Sequence, residues 1–261
     1  MNPYYKTDNS VLFCGDCEEA MSRMVDEGIK IDKVITSPPY NIRRDLPDVK
    51  YDLYKDGMPN EEYIDWIIRI FALFDKLMNK DGAIIWNMSY GGENSELLPL
   101  CIASIIEKTN FTLADILIWK KKSARPNNVS PNKMTRIVEF VYVFCRKEEF
   151  LTFKTCKKPV GQMPSGQAVY ENMFNFFEAD NNDGFTELNH STYSTQFVFE
   201  IIDRYVLPSD IVLDPFSGTG TTMVACEARN RKGYYVELSE NQCDYSVRRM
   251  KGGVQMNLFD F

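Results

Sequence analysis

Apolar positions in this chain alternate between two periods, and the alternation outlines a fold. Short apolar runs read as strands, and between them apolar residues recur at helical spacing. Ser10-Val11-Leu12-Phe13 reads as a strand and Gly15-Asp16 as a turn. Ala20, Met21, Met24 and Val25 give one helix face over Glu18–Glu27. A strand over Ile31–Ile35 follows, then a polar, turn-rich stretch over 41–60. Ile64, Ile67, Ile68, Phe71 and Leu77 predict an amphipathic helix over Glu62–Met78. Gly82 lies just past its expected end, ahead of a buried strand at Ala83-Ile84-Ile85-Trp86.

Further expected elements are a helix over Glu96–Thr109 and strands over Leu113–Trp119 and Ile137–Phe144. A helix over Phe197–Tyr205, a strand over Ile211–Leu213, a helix over Met223–Ala228 and a strand over Gly233–Val236 complete the pattern. Residues 150–195 break it, being rich in Asn, Gly, Phe and Tyr. They are expected to be a specificity insert. Alternating strands and helices predict an α/β fold, a doubly wound and mostly parallel sheet with helices on both faces.

Composition sets limits. The chain of 261 residues, 44% hydrophobic, is long enough for one large α/β domain. It has no apolar run of membrane-spanning length, and its first residues lack the core of a signal peptide. Seven scattered cysteines fit a reducing cytoplasm. Cys14 and Cys17 form a lone C-x-x-C with no second pair, so zinc is not expected. The single histidine, His190, excludes a multi-His metal site.

Net charge is −7, which argues against a surface coated in positive charge. A local basic stretch exists all the same. No acid occurs from Ile116 to Val138, where Lys120, Lys121, Lys122, Arg125, Lys133 and Arg136 lie, and Lys154, Lys157 and Lys158 follow. This can be a phosphate-contacting face or a solvated loop. Arg43 and Arg44 in the 41–60 loop carry the same two readings, DNA clamp or solvated charge.

Two constellations carry chemistry. The first is Thr36-Ser37-Pro38-Pro39-Tyr40, directly after a strand. Each proline fixes its φ and lacks a donor, and Pro39 holds Pro38 extended. The result is a stiff hook with bare carbonyls, a small hydroxyl and a flat ring. That combination suits a planar, amine-bearing group such as a flipped nucleobase; alternatively it is only a rigid start to a loop.

The second is Asp214-Pro215-Phe216-Ser217-Gly218-Thr219-Gly220-Thr221-Thr222, between a strand and a helix. The glycines allow a tight turn, and the helix start offers free N–H groups. A Walker loop needs Gly-Lys-Ser/Thr, and no lysine follows Gly220. A dinucleotide fingerprint needs a small residue where Met223 stands. A third reading is S-adenosylmethionine, with Glu237 at the next strand end positioned for ribose hydroxyls.

Together these residues resemble the amino-methylating DNA methyltransferases, of cytosine N4 or adenine N6. The polar-Pro-Pro-aromatic hook and the Asp-Pro-Phe-x-Gly-x-Gly-Thr turn are that family's hallmarks. Hook first and turn last is similar to its permuted beta group. The resemblance spans roughly residues 10–250 and implies an S-adenosylmethionine-dependent methyltransferase fold over a single domain. It also implies a target-recognition region within 120–195 and double-stranded DNA as partner.

It implies roles as well. Asp16 is expected at the cofactor's adenine, and Glu237 at its ribose. Asp214 to Ser217, Gly218, Gly220, Thr221 and Thr222 are expected around the remainder. Ser37, Pro38, Pro39 and Tyr40 are expected to hold the target base. The hook's Ser37 favours cytosine over adenine. Trp119, Lys120 and Glu139 are expected to flank the recognition region.

The family's His-Pro-x-Gln-Lys-Pro is reduced here to Thr195 and Gln196. Methylation of RNA or protein amides, or a silent DNA-binding relative, are the alternatives. Relatives often form homodimers. After Gly252-Gly253, the tail Gln255-Met256-Asn257-Leu258-Phe259 resembles a sliding-clamp peptide, or it is a strand packed on the domain.

Overall fold

The computed structural model describes residues 2–41, 57–89, 94–124, 126–184 and 192–252. Arg43, Arg44, Arg125, His190 and the tail beyond residue 252 lie outside the described residues. In chain order the elements are β1 (Tyr5–Lys6), β2 (Ser10–Cys14), α1 (Cys17–Asp26), β3 (Ile31–Thr36) and α2 (Asn60–Leu77). Next come β4 (Met78–Met88), α3 (Leu97–Lys108), β5 (Phe111–Lys121), β6 (Val138–Arg146) and a 3-10 turn at Lys147–Glu149. Then follow β7 (Pro159–Gln162), β8 (Ala168–Tyr170), β9 (Phe176–Ala179), α4 (Thr195–Tyr205), β10 (Ile211–Asp214), α5 (Thr221–Ala228), β11 (Lys232–Glu237) and α6 (Glu240–Gly252).

Nine strands form one sheet in the order β1-β2-β11-β10-β3-β4-β6-β5-β9. Strands β2, β11, β10, β3 and β4 are mutually parallel. Strand β6 runs antiparallel to both its neighbours, β4 and β5. The alternation of β4 explains the layering. Ile84 and Trp86 pack with α1, α2 and α3 on one face. Ala83 and Ile85 pack with α4, α5 and α6 on the other. Strands buried on both sides read as continuous apolar runs, which is why these strands were legible. The doubly wound α/β fold is therefore as the sequence predicts. Among the described residues no helix is long and apolar enough to cross a membrane.

Three local readings change. No break separates helix and strand around Gly82: α2 passes straight into β4 at Met78, and Gly82 lies inside that strand. It is small because a Cβ there would stand 2.8 Å from the Asp32 carbonyl of the adjacent strand. The insert is not simply irregular, since Phe176–Ala179 adds a ninth strand parallel to β5 and buries Phe177 and Ala179. Helix α6 has no counterpart in the sequence reading.

Lys33, inside the apolar run of β3, is buried. It donates to the Lys154 carbonyl at 2.9 Å, and burial lowers its pKa. Arg146 at the end of β6 is the main polar staple of this end of the sheet. It donates to Asp75 Oδ1 (2.6 Å) and to the carbonyls of Asp75 (2.8 Å), Met78 (2.9 Å) and Asn79 (3.0 Å), and it pairs with Glu149. Arg146 and Asp75 are half-buried and Glu149 is buried, so removing the guanidinium leaves the Glu149 charge uncompensated. Arg146→Met is expected to lower unfolding free energy by about 3–5 kcal/mol in urea titrations. A loss below about 1 kcal/mol, the scale of a surface ion pair, would contradict this.

Candidate active site

The site forms where the carboxyl ends of β2, β11, β10 and β3 meet, the usual ligand position on an open parallel sheet. A cavity of about 270 Å³ opens there. Its wall includes Gly15 and Asp16 after β2, Ser37 to Tyr40 after β3, Pro215 to Thr219 and Thr221 after β10, and Glu237 at the end of β11.

The turn is built by its glycines. Gly218 and Gly220 have φ of +53° and +76°, in the left-handed region that glycine tolerates. Gly220 caps α5 without any side-chain hydrogen bond, so the first amides of that helix keep their donors. Its lack of a Cβ also serves packing, because a Cβ would lie 2.7 Å from Ser246 Oγ of α6. The Ser217 hydroxyl, in the cavity wall, is buried with no hydrogen-bond partner among the described residues.

Glu237 is buried and accepts from Gly218 N (2.8 Å), Ser239 N (2.9 Å) and Gln242 Nε2 (3.3 Å). Burial pushes its pKa up, against the pull of those donors. Asp16 also lines the cavity and caps α1, accepting from Glu19 N at 3.0 Å. An orphaned hydroxyl, an uncapped helix start and two acids suit a ligand bearing a carboxylate, hydroxyls and an amine-edged ring.

The hook is fixed from behind. The Tyr63 hydroxyl donates to the Pro39 carbonyl at 2.8 Å. Ser37 Oγ donates to the Tyr40 hydroxyl (2.9 Å), which donates to Asn87 Oδ1 (2.9 Å). Buried Asn41 follows with φ +52°. It ties both ends of the 42–56 segment together, donating to the Met58 carbonyl (2.8 Å) and accepting from Gly57 N (2.8 Å).

Hook and turn are joined. Thr36 Oγ1 donates to Asp214 Oδ1 at 2.6 Å. Asp214 also accepts from Phe216 N (3.1 Å) and the Tyr193 hydroxyl (3.3 Å), and Tyr193 meets Thr222 Oγ1 at 2.6 Å. Asp214 is fully buried, and burial raises its pKa. Neither Asp214, Gly220 nor Thr222 lines the cavity; all three sit behind its wall.

The basic residues are placed differently from one another. Lys120 pairs with Glu178, Lys121 with Glu139, and Lys122 with Asp180 at 3.1 Å. The acid-free run is thus met by acids of β6 and of the β9 segment. Lys133 and Arg136 are exposed in the loop between β5 and β6. That loop leaves the sheet at the same end as the hook, because β6 starts alongside the end of β4.

Several lining residues carry no motif. Trp66 packs on Phe216 with ring centroids 5.5 Å apart. Tyr193, Met58, Thr192, Ser239 and Gln242 also line the cavity. Trp66 lies off the periodic stripe of α2, the one hint the sequence offered. Near the reduced motif, Ser194 caps α4 by accepting from Phe197 N (3.1 Å), and Gln196 accepts from Asp180 N (3.1 Å).

This sheet order, with β6 and the edge strand β1 reversed and the cavity at the strand ends, is the fold of DNA methyltransferases. The cytosine-N4-specific PvuII DNA methyltransferase superposes with a TM-score of 0.70 at 19% identity, covering 94% of this chain and 87% of that one. The M1.HpyAVI–SAM complex superposes with a TM-score of 0.64 at 21% identity, covering 92% and 99%. Residues 31–248 match the model of the N6/N4 DNA methylase family, and the chain belongs to that family. One relative is the type II methyltransferase M.BglII of Bacillus subtilis. It is 26% identical over 271 residues, covering 92% of this chain and 69% of that protein.

The turn geometry is open to test. Gly220→Ala forces a left-handed alanine and a clash with Ser246, and is expected to cost about 2 kcal/mol or more. Thermal unfolding checks it; an unchanged Tm would show that the turn relaxes freely.

Proposed function

We propose that this protein transfers a methyl group from S-adenosylmethionine to the exocyclic amine of a base flipped from double-stranded DNA, with cytosine N4 as the target. One observation carries the proposal: a Pro-Pro hook and a Gly-rich turn, 178 residues apart in sequence, wall one cavity and are tied by the Thr36–Asp214 hydrogen bond. When bound, the cofactor supplies an electrophilic methyl on a sulfonium. Ser217, Gly218, Thr221 and the start of α5 would hold its amino-acid end, Glu237 its ribose and Asp16 its adenine. The apolar wall of Trp66 and Phe216 excludes water.

On the other wall, the Ser37 hydroxyl and Pro38 carbonyl accept the two amine hydrogens. An amine's lone pair is delocalised into the ring. Holding both hydrogens draws the nitrogen toward tetrahedral geometry and frees that pair. Tyr40 stacks on the base. Positioning the nitrogen at the methyl would supply much of the rate: the nitrogen–carbon bond forms as the carbon–sulfur bond breaks, and the amine gives up one proton to solvent. Lys133 and Arg136 contact phosphate from the loop between β5 and β6, and Arg43, Arg44 and Arg125, outside the described residues, are assigned to DNA contact from sequence alone. The pairing of Lys120, Lys121 and Lys122 with acids gives those lysines a smaller share of any salt-dependent binding. The serine hook supports cytosine. Adenine N6 presents the same pair of hydrogens and is the second reading.

Mass spectrometry of nucleosides from treated DNA is expected to show N4-methylcytosine. N6-methyladenine alone would overturn the base assignment, and no methylated base would overturn the reaction. Ser37→Ala should lower transfer by at least about 10²-fold while cofactor affinity holds. Equal activity would refute the role of the hook.

The raised pKa of Glu237 gives a pH dependence. The carboxylate form accepts ribose hydroxyls, and protonation removes that acceptor. Cofactor affinity is therefore full at neutral pH and falls as pH drops through a value above the ordinary carboxylate range. Calorimetric titration should show this fall, and Glu237→Gln should remove it. Affinity that stays flat down to the ordinary range would contradict the assignment.

A further inference from the structure

The hydrogen bonds behind the hook have a fixed direction. Asn87 is buried near the end of β4. Its Nδ2 donates to the Phe140 carbonyl (3.1 Å) and reaches Glu139 Oε2 (3.5 Å). A carbonyl and a carboxylate only accept, so the amide nitrogen must face them and the amide oxygen must face the hook. Lys121 pairs with the other oxygen of Glu139. The Tyr40 hydroxyl, 2.9 Å from Asn87 Oδ1, spends its one proton there. Ser37 Oγ, 2.9 Å from the Tyr40 oxygen, spends its own proton on Tyr40.

We infer that Tyr40 and Asn87 form a one-way relay that leaves Ser37 as a pure acceptor toward the cavity, so that the hook selects a base bearing an amine over one bearing a carbonyl at the same position. The inference rests on the methyl-transfer reading and deepens it. An exocyclic amine brings N–H donors to the lone pairs of Ser37. A carbonyl brings only lone pairs, and no proton remains to satisfy them. Rejection by an unpaired buried polar group is strong discrimination. The same polarity has a second effect: a hydroxyl free to donate could bond the amine nitrogen and occupy the lone pair needed for attack. Asn87 touches neither ligand and is a positioning residue.

The test uses duplexes carrying the target sequence found by methylome sequencing. In one set the target base is native; in the other it is the deaminated analogue, deoxyuridine for deoxycytidine or deoxyinosine for deoxyadenosine. Wild-type protein is expected to bind the amine duplex at least about tenfold tighter. Tyr40→Phe keeps the ring but frees the Ser37 proton. Asn87→Leu lets Tyr40 turn and donate to Ser37. Both should tighten the carbonyl duplex relative to the amine duplex by about tenfold and lower kcat, with cofactor affinity unchanged.

A wild-type ratio in both variants would overturn the relay. Neutron diffraction reads it independently of turnover. A Ser37 deuteron pointing at Tyr40 sustains the relay, and one pointing into the cavity overturns it. Absence of methylation on any duplex would instead refute the methyl-transfer reading.

Discussion

The hydrogen bond from Thr36 to Asp214 is the constraint on which the site depends. It joins the ends of β3 and β10, adjacent parallel strands, at 2.6 Å. Asp214 is a wholly buried carboxyl, which folding tolerates only with donors around it. Thr36, Tyr193 and the Phe216 amide supply them. Each donor belongs to a different part of the site: the hook strand, the segment before α4, and the turn itself. Satisfying one buried acid therefore assembles three segments distant in sequence.

The other contacts add to this frame. Tyr63 grips the Pro39 carbonyl, so the hook is fixed to α2 as well as to β3. Arg249 of α6 donates to the Thr219 carbonyl (2.9 Å), Thr221 Oγ1 (3.0 Å) and Asp183 (2.8 Å). The turn is thus held from below by Asp214 and from the side by Arg249. A frame of this kind favours positioning over flexible capture, as the proposed direct transfer requires.

The hook and the turn were legible because prolines and glycines constrain backbone locally, and a local constraint shows in a local string. The central strands were legible because burial on both faces leaves continuous apolar runs such as Ile211-Val212-Leu213. Partnerships set by register were not legible. Glu178 reaches Lys120 only because Phe176–Ala179 pairs with β5, a four-residue strand too short to show a period. Asp214 read as a ligand contact from its place in the motif, yet its side chain turns inward because Thr36 and Tyr193 lie there. Tyr193, Gln242 and Asn87 are ordinary residues in sequence and acquire roles only from what folding brings beside them.

Single-turnover methyl transfer by Thr36→Val protein, at saturating cofactor and DNA, tests the tether most directly. The side chain is not part of the cavity wall, and valine keeps its shape while removing the donor. If the hydrogen bond sets the distance between hook and turn, the saturated rate falls at least about tenfold while cofactor affinity changes by less than about threefold. A saturated rate equal to that of the wild-type protein would show that hook and turn find their spacing without it.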